Sequence, residues 1–509
     1  MNHEHDRKYR SHIAIYDPGQ FIVYFLPSLP LSLIGRVCIT SSLAFLLLSI
    51  IGCQFTGTRH QSVNQADLSF GSQWVRSHPF QITALTQRTA AVDDNKYTEA
   101  GFNSMLAWKR WSDLIGGANR QGIPWHAHFN KRYNFEEATG HIAQVIDNHI
   151  GGEAVMVWDE PKRPQFAEAG RIIAWAKETY PDLLVYSNAY PPAPNGKLWG
   201  GKWLGPDLYE QAPGGYTYHQ YLSEFVNVIQ PHVLQLDIYP FKIPPEGIEE
   251  QYVHKLYYSA LTDCRNVAQT AGIPYWLCIQ AFAHEGGGAR RYPTESDLRF
   301  QVYVALTYGF TAIHYFTFDH VFKGALLKDP FHEIEGRSEP GEPTYLYYDA
   351  KYVNREIKHL GRTLRFLQST GVHYVPGGQW IDGKLKINPV PIGLDAYTRD
   401  TSPQLIKNIT IHEQGNDHNG LIGFFKDNAG DDYMMLVNLT HGEGLNATQA
   451  EQTMTIQFPS TVKSITRLSR ETGSVEQLVV DYNQLKITLP GGTGDLFKLT
   501  GKPIFAGIE

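Results

Sequence analysis

The sequence predicts an α/β protein, a (β/α)8 TIM barrel followed by a C-terminal all-β sandwich domain. Short apolar runs alternate with longer amphipathic segments between residues 80 and 318, and this alternation implies parallel strands joined by crossover helices. The runs are almost continuously apolar, as expected for strands that are buried on both faces. After residue 370 the long helical patterns stop, and short alternating runs separated by Gly, Asn and Asp turns predict the sandwich.

The barrel prediction depends on the number of strands. Eight strand-helix units over roughly 290 residues fit a TIM barrel, which typically has about 250 residues and is lengthened by insertions. A doubly wound open sheet is the alternative, but it would more often carry a Gly-rich phosphate-binding turn after its first strand, and none is present. The predicted strands are Phe80–Leu85, Asn103–Trp108, Pro124–Phe129, Ala154–Asp159, Leu183–Asn188, Val233–Tyr239, Tyr275–Phe282 and Ala312–Phe318.

The N-terminal segment predicts export. Residues 1–53 contain a long apolar run that ends in Ile50–Cys53, which resembles the bacterial lipobox, where the Cys is acylated. The alternatives are a simple transmembrane anchor and a cleaved signal peptide. Residues 54–74, rich in Gln, Ser, Thr and Gly, predict a linker. We therefore expect a periplasmic or extracellular protein, or a cell-envelope lipoprotein that contacts the membrane through this lipid anchor or signal segment.

The rest of the chain is predicted to contain a barrel domain, 75–370, and a sandwich domain, 371–509. The formal net charge is −7, so no basic surface predicts binding to nucleic acid. Two cysteines, Cys264 and Cys278, follow the signal segment, which is too few for a disulfide framework. No CxxC or HExxH pattern occurs, so we expect no structural metal and no cofactor.

The ends of the predicted strands are the candidate site, because functional side chains of such barrels lie at the C-terminal face. These ends are polar, acidic and aromatic, and they contain no Ser-His-Asp arrangement. Two of the histidines end the same strand, and we expect at most one of them to face the site. The strand ends supply Trp108, His126, His128, Asn130, Trp158, Asp159, Glu160, Asn188, Tyr190, Asp237, Tyr239, Gln280, Phe282, Tyr315 and Asp319.

The strongest signal is the end of the fourth strand, where Asp159, Glu160 and Pro161 follow four apolar residues. Cleavage of a glycosidic bond needs a protonated carboxyl group as donor and a second group that stabilises or attacks the anomeric centre. We predict Glu160 as the donor, because an apolar Trp158 and the negative charge of Asp159 would both favour its protonated form. The alternative is a pair of acids that complements the dipole of the following helix.

Several motifs resemble glycoside hydrolase barrels of the retaining, clan A type. They are the D-E-P at the end of strand four, L-D-I-Y-P-F at 236–241, I-Q-A-F at 279–282 and H-Y-F-T-F-D at 314–319. The sandwich, with G-D-L-F-K-L at 494–499, is similar to the accessory domain behind many such barrels. The resemblance implies an acid/base Glu at the end of strand four, here Glu160, preceded by Asn where this chain has Asp159. It also implies a nucleophilic Glu at the end of strand seven, where this chain has Gln280.

Three arrangements could supply the second catalytic group. Glu285, in the Gly-rich loop after strand seven, could act as the nucleophile. Asp237, at the end of strand six, could pair with Glu160, and we favour this arrangement slightly. Asp159 and Glu160 also resemble the Asp-Glu pair of hexosaminidases that use the acetamido group of the substrate as nucleophile.

We therefore expect a glycosidase that acts on an extracellular oligo- or polysaccharide. The alternatives are a substrate-assisted N-acetylhexosaminidase and a non-catalytic carbohydrate-binding surface lipoprotein. Arg290 and Arg291 follow a run of glycines, and either recognise an acidic sugar or belong to a solvated loop. The predicted substrate-binding residues are Trp108, His126, Asn130, Trp158, Asn188, Tyr239, Gln280, Tyr315 and Asp319.

Overall fold

The computed structural model describes residues 68–87, 92, 95–108, 111–129, 134–192, 216–243, 255–284, 289–319, 325–327, 341–401, 405–415 and 418–508. The predicted signal segment 1–53 lies outside the described residues, and so does the predicted lipidation of Cys53. Asn130 and Glu285, two of the predicted site residues, also lie outside them.

Eight parallel strands form a closed barrel, which confirms the predicted fold class. The strands are β1 (Gln81–Thr86), β2 (Ser104–Ala107), β3 (Trp125–His128), β4 (Gly152–Asp159), β5 (Leu184–Ala189), β6 (Leu234–Asp237), β7 (Tyr275–Gln280) and β8 (Ala312–Phe316). They pair in the order of the sequence, and β8 pairs with β1 to close the barrel. All eight predicted strands are present, and their ends differ from the prediction by at most two residues.

Each strand is followed by a helix, as the alternating pattern predicted. The helices of the described residues are α1 (Phe70–Ser77), α2 (Lys96–Glu99), α3 (Trp111–Arg120), α4 (Phe135–Asn148), α5 (Phe166–Thr179), α6 (Tyr218–Ile229), α7 (Tyr257–Ala271), α8 (Glu295–Tyr308) and α9 (Tyr345–Leu364). Asn134, Thr217 and Thr294 begin α4, α6 and α8, because their side-chain oxygens accept a hydrogen bond from a backbone N–H three residues later. In the described part of the chain, no helix is both long enough and apolar enough to cross a membrane.

The lower end of the barrel is closed by α1, which precedes β1. This helix begins at Phe70, so the last five residues of the predicted linker are helical instead. The ring of Trp74 packs against Trp276 and His126 from the barrel interior, with centroid distances of 5.9 and 6.4 Å. Aromatic side chains therefore fill this end of the barrel, which is opposite to the C-terminal ends of the strands.

The sandwich begins three residues before the predicted boundary at 371. Its strands are β9 (Gln368–Val375), β10 (Gly378–Ile381), β11 (Lys384–Ile387), β12 (Asp395–Ala396), β13 (Asn408–Ile411), β14 (Gly420–Lys426), β15 (Asp432–Asn438), β16 (Gln452–Gln457), β17 (Ser464–Leu468), β18 (Val475–Val479), β19 (Gln484–Leu489) and β20 (Gly494–Lys498). A seven-stranded sheet has the order β12-β9-β14-β15-β20-β17-β18, and a three-stranded sheet has the order β13-β16-β19. Apolar side chains of both sheets, such as Phe424 and Ile456, share one core.

Helix α8 lies between the barrel and the sandwich, and every residue from Ser296 to Tyr308 is buried. It contacts β7 on the barrel side and β9, β14 and β15 on the sandwich side. Arg299 and the hydroxyl of Tyr303 both donate to Oε2 of Glu356 on α9, over 2.7 and 2.6 Å. A helix that is covered on all sides needs no polar face toward solvent, which explains the weak amphipathic pattern of this segment.

Candidate active site

A bulge at the end of β4 aims Asp159 into the barrel. The register between β4 and β5 shifts after Met156, so that Asp159 pairs with Asn188. The hydroxyl of Ser187 donates to the carbonyl of Trp158 over 2.5 Å within the bulge. Without the extra residue, strict alternation would place Met156 and Asp159, three positions apart, on opposite faces of the sheet. The bulge therefore brings a carboxylate to the barrel mouth directly above the apolar interior.

Glu160, the predicted general acid, occupies a strained position at the end of β4. Its φ of 52° lies in the left-handed region, which is unusual for a residue with a side chain. Its backbone N–H donates to the carbonyl of Asn188 over 2.9 Å and holds this conformation. Burial raises the pKa of the Tyr221 hydroxyl, and the negative charge of Glu160 raises it further. The carboxylate of Glu160 is thus close enough to Tyr221, whose hydroxyl binds the carbonyl of Pro161, to act on it electrostatically.

Asn188 bridges two carboxylates at the mouth. Its side-chain Nδ2 donates to Oδ1 of Asp159 over 3.1 Å and to Oδ1 of Asp237 over 3.0 Å. The two carboxylate oxygens are therefore no more than 6.1 Å apart, the sum of these two bonds. The amide itself is fixed by Gln235, whose Nε2 lies 3.3 Å from Oδ1 of Asn188. Three neighbouring strands thus combine to hold one pair of carboxylates.

The two carboxylates differ in their surroundings. Burial raises the pKa of Asp237 to about 7, and the charge of Asp159 contributes to the rise, whereas hydrogen bonds from Asn188 and Tyr239 oppose it. Asp237 is 5% exposed, whereas the side chain of Asp159 is 34% exposed. Nε2 of His128 lies 3.7 Å from Oδ2 of Asp159. Burial therefore favours the protonated form of Asp237, beside the negative charge of the more exposed Asp159.

The two histidines of β3 both point into the barrel, because residues two apart share a face of a strand. His128 reaches the mouth, where it approaches Asp159. His126 lies one layer lower, is fully buried, and contacts the hydroxyl of Tyr186 at 3.1 Å. Burial lowers the pKa of His126 to about 3, and the charge of His78 lowers it further. The prediction that His126 binds substrate is therefore wrong, and His128 is the histidine of β3 that lies at the mouth.

Aromatic rings form one wall of the mouth. The ring of Tyr239 lies 5.1 Å from Phe282 and 5.6 Å from Phe316, measured between centroids. Trp108 continues the wall, 6.1 Å from Phe316 and 6.0 Å from His128. Flat apolar faces beside carboxylates are suited to the C–H faces of sugar rings. Phe316 is a site residue that the sequence analysis missed, although its place at the end of β8 was a sufficient signal.

Two predicted substrate-binding residues point away from the mouth. Tyr315 is fully buried, and its hydroxyl donates to Oδ1 of Asn354 on α9 over 2.7 Å. Trp158 is 6% exposed and belongs to the core outside the barrel. The predictions for both residues are wrong. Tyr315 alternates with the inward-facing Phe316, and the β4 bulge turns Trp158 outward.

Gln280, the last residue of β7, has a structural role. It is fully buried, and its Oε1 accepts from the N–H of Phe241 over 3.0 Å. Its Nε2 donates to the carbonyls of Phe282 and Arg291 over 3.1 and 2.8 Å. These bonds use the whole amide to fix two loops at the mouth. The prediction that Gln280 contacts substrate is therefore wrong.

Three further residues of the prediction can be placed. Asp319 is 6% exposed, and its Oδ1 accepts from the N–H of Gln87 over 2.9 Å, so that it supports a loop. Arg291 forms a two-bond ion pair with Asp297, which excludes it from recognition of a sugar. Arg290 is near Tyr239: burial lowers the pKa of its guanidinium, and the charge of Tyr239 opposes this.

Within the described parts of the chain, no group of three or more His, Cys, Asp or Glu residues is placed to hold a metal ion. The chemistry available at the mouth is that of carboxylates, one imidazole, amides and aromatic rings.

Comparisons with known proteins concern the fold. No protein-family model and no curated protein matches the chain. Among solved structures, a proposed alpha-galactosidase from Bacteroides fragilis shares 7% identity, over 83% of this chain and 79% of its own, with a TM-score of 0.44. A noncanonic maltogenic alpha-amylase from Thermotoga neapolitana shares 7% identity over 83% and 99%, with a TM-score of 0.41. An endo-beta-1,4-mannanase from Thermotoga petrophila shares 10% identity over 73% and 97%, with a TM-score of 0.36. Identities and scores this low carry no information about the activity of this chain.

Proposed function

We propose that this protein is a glycoside hydrolase that cleaves glycosidic bonds of an oligo- or polysaccharide at the mouth of its barrel. The observation that carries the proposal is the carboxylate pair of Asp159 and Asp237, held by one amide of Asn188 and placed in environments of opposite character. A glycosidase needs one carboxyl group that is protonated and another that is ionised. Burial favours the protonated form of Asp237, and the more exposed Asp159 is suited to the ionised role.

The first chemical step uses both members of the pair. Asp237 donates its proton to the glycosidic oxygen as the bond between that oxygen and the anomeric carbon breaks. An oxygen of Asp159 attacks the anomeric carbon from the other face and forms a glycosyl ester, which leaves Asp237 ionised. In the second step water attacks the anomeric carbon, Asp237 accepts a proton from that water, and the bond to Asp159 breaks.

The separation of the pair favours retention of configuration. Retaining enzymes have carboxyl groups about 5–5.5 Å apart, and inverting enzymes need about 6.5–9.5 Å to admit a water molecule. The bridging amide of Asn188 holds the two Oδ1 atoms within 6.1 Å of each other, which supports the shorter, retaining separation. We therefore propose a retaining mechanism with Asp159 as nucleophile and Asp237 as acid/base.

Glu160 remains a second candidate for the proton donor. It follows Asp159 directly, and its strained backbone holds the side chain at the end of β4. Strain of this kind persists where the surrounding structure enforces it, and such positions cluster at active sites. The sequence-based hypothesis assigns the proton donor to Glu160, whereas the pKa of Asp237 favours Asp237 in that role.

Aryl glycosides with different leaving groups distinguish the two donors. An acid that protonates the leaving group is needed for an alkyl or sugar leaving group but not for dinitrophenolate, which leaves without a proton. We expect Asp237→Asn to lose about 10³-fold or more in kcat/KM on natural glycosides and much less on the dinitrophenyl glycoside. If Glu160→Gln shows this pattern and Asp237→Asn does not, Glu160 is the donor.

The same assays test the other two functions considered from the sequence. Turnover restricted to N-acetylhexosaminides, with inhibition by thiazoline analogues, would assign the Asp159–Glu160 pair to a substrate-assisted mechanism instead. Binding of glycans without turnover of any glycoside would contradict a hydrolase and favour a carbohydrate-binding protein.

We also propose that the protein is exported and attached to the cell envelope through lipidated Cys53. The proposal rests on the apolar segment and the lipobox-like Ile50–Cys53. Mass spectrometry of the mature N-terminus would test it. Acylated Cys53 is expected, whereas an unmodified chain that begins at Met1 would contradict the proposal.

A further inference from the structure

A cavity of about 330 Å³ lies at the end of the barrel opposite to the mouth. It is bounded by α1, by the residues that begin β7 and β8, and by the first residues of the sandwich. The catalytic carboxylates do not line it. Its volume falls at the lower end of the range for small-molecule sites, and is sufficient for a ligand of about monosaccharide size.

Two guanidinium groups line this cavity from different elements. Arg76 belongs to α1, and Arg365 follows the last residue of α9. Their Cζ atoms lie 5.9 and 4.9 Å from the ring centroid of Phe366, so the two charges are at most 10.8 Å apart, the sum of these distances. Because both groups line the same cavity, one ligand bound there can contact both.

Neither arginine is neutralised by a described carboxylate. Nη2 of Arg76 donates to Oδ1 of Asn428 over 3.1 Å, and Nη1 of Arg365 donates to the carbonyl of His78, so both known partners are uncharged. Both arginines are half-buried, and burial lowers the pKa of both guanidinium groups, so each cation has lost part of its contact with water. Arginine in such places typically pairs with carboxylates or phosphates.

Two buried donors at the same cavity have no hydrogen-bond partner among the described residues. They are Nε of Arg365 and Oγ1 of Thr311, the residue that precedes β8. Thr311 is 9% exposed, so its hydroxyl has little access to bulk water. Buried polar groups without partners are rare, and they often mark a place for a ligand, ion or water molecule. The hydroxyl of Thr311 and the Nε–H of Arg365 could both donate a hydrogen bond to a bound ligand.

We propose that this cavity binds an anionic ligand of up to monosaccharide size, and that it recognises the oxyanion group of that ligand. Arg76 and Arg365 bind the charged oxygens, and the hydroxyl of Thr311 donates to the same ligand. The recognised chemistry is a carboxylate, sulfate or phosphate group, because each offers several acceptor oxygens to guanidinium groups. The site is independent of the proposed glycosidase reaction, since it lies at the closed end of the barrel.

Calorimetric titration of the full-length protein tests the site without any turnover assay. The probes are sodium phosphate, sodium sulfate and sodium glucuronate, with glucose and sodium chloride at equal ionic strength as comparisons. We expect at least one oxyanion to bind with a Kd of about 1 mM or lower, and glucose and chloride not to bind. The relative affinities show which of the three oxyanion groups the cavity prefers. Absence of binding by all three probes would overturn the proposal.

Variants locate the binding. We expect Arg76→Gln and Arg365→Gln each to weaken the affinity by about tenfold or more, because each removes a charge-assisted hydrogen bond. Arg355→Gln, an exposed arginine on the same helix α9, is the matched control and is expected to bind as the parent protein does. Equal affinity of the parent and both cavity variants would place the anion elsewhere and refute the site.

Thr311→Val tests the same cavity if an arginine variant does not fold. It removes one buried hydroxyl with little change in volume and leaves both charges in place. We expect it to weaken anion binding by about threefold or more. If Thr311→Val binds the anion as tightly as the parent protein, the cavity is not the binding site.

Discussion

The side-chain amide of Asn188 donates to Asp237 over 3.0 Å and thereby places a buried carboxyl group beside the more exposed Asp159. The amide shares its two N–H bonds between the carboxyl groups, so it reduces their repulsion without neutralising either. The pH dependence of the proposed reaction follows from this arrangement.

The first prediction concerns Asp237 and pH. A carboxyl group with a pKa of about 7 is protonated below that pH, so kcat/KM should fall as the pH rises through about 7. Asp237→Asn should remove this alkaline limb together with most of the activity. A pH-rate profile of the residual activity checks it, and an unchanged limb in the variant would assign the limb to another group.

Protonation of Asp237 should also affect the free energy of unfolding. A salt-bridged acid makes the fold more stable as the pH rises, and Asp237 should do the opposite. The folded-state pKa lies above the unfolded value of about 3.9, so the folded state binds more protons between about pH 4 and 7. The free energy of unfolding should therefore fall as the pH rises through this range. Asp237→Asn should flatten the slope and gain about 1–4 kcal/mol at pH 8, because one pKa unit corresponds to about 1.4 kcal/mol.

Asp349 is the control for that measurement. Burial raises its pKa to about 7 as well, and the charge of Glu295 contributes. Asp349→Asn should also reduce the slope of stability against pH while leaving the alkaline limb of activity in place. Chemical denaturation at several pH values separates the two residues.

The second prediction concerns Asn188. Its hydrogen bond lowers the pKa of Asp237, so Asn188→Ala should raise that pKa and move the alkaline limb of kcat/KM to higher pH. The rate should fall as well, because Asp159 loses the same donor. A limb that moves to lower pH, or does not move, would contradict the bridging role of the amide.

The third prediction distinguishes the backbone strain at Glu160 from a catalytic role of its side chain. A non-glycine residue in the left-handed region costs about 1–2 kcal/mol, and glycine adopts it freely. Glu160→Gly should therefore be at least as stable as the parent protein in denaturant unfolding. Both Glu160→Gly and Glu160→Gln should lose activity if the side chain takes part in the reaction. A loss of stability in the glycine variant would show that the side chain, rather than the backbone alone, supports the fold.

The fourth prediction concerns the contact between His441 of the sandwich and Asp297 of α8. Nδ1 of His441 lies 2.6 Å from Oδ1 of Asp297. Burial raises the pKa of Asp297, but the hydrogen bonds of Arg291 and His441 outweigh it and leave the pKa well below its usual range. The stability that Asp297 contributes is present above its unfolded pKa and is lost as the pH falls toward the folded value. His441→Ala should cost about 3 kcal/mol in denaturant unfolding, because it leaves a buried charge with one partner fewer. A cost below about 0.5 kcal/mol would contradict the role of this contact.

The fifth prediction tests the outward orientation of Tyr315. Tyr315→Phe leaves Oδ1 of Asn354 without its donor, so the variant should lose about 1–2 kcal/mol of stability. Its kinetic constants should equal those of the parent protein. A large increase in KM would place the hydroxyl in the substrate site after all.

The barrel could be predicted from the sequence because strands buried on both faces leave a continuous apolar run, and each run is followed by an amphipathic helix. The position of the site followed from the same pattern, since every strand end reaches the same face. Asp237, Asn188, Trp108 and Tyr239, which this pattern predicts, lie at the mouth of the barrel.

The direction of individual side chains could not be predicted in the same way. A bulge adds one residue to β4, and nothing in V-M-V-W-D-E-P marks where the alternation is interrupted. Trp158 was therefore placed inside the barrel. Gln280 was interpreted as a substrate ligand because its partners, the backbone groups of two loops, are distant in the sequence.

The complete burial of α8 has a consequence for the evolution and handling of this protein. A shortened gene that ended before β9 would leave one side of α8 in water, and the product should aggregate rather than fold as a free-standing barrel. Exchange of the sandwich for another module would need a replacement surface that matches this helix. We therefore expect the barrel and the sandwich to fold, and to be inherited, together.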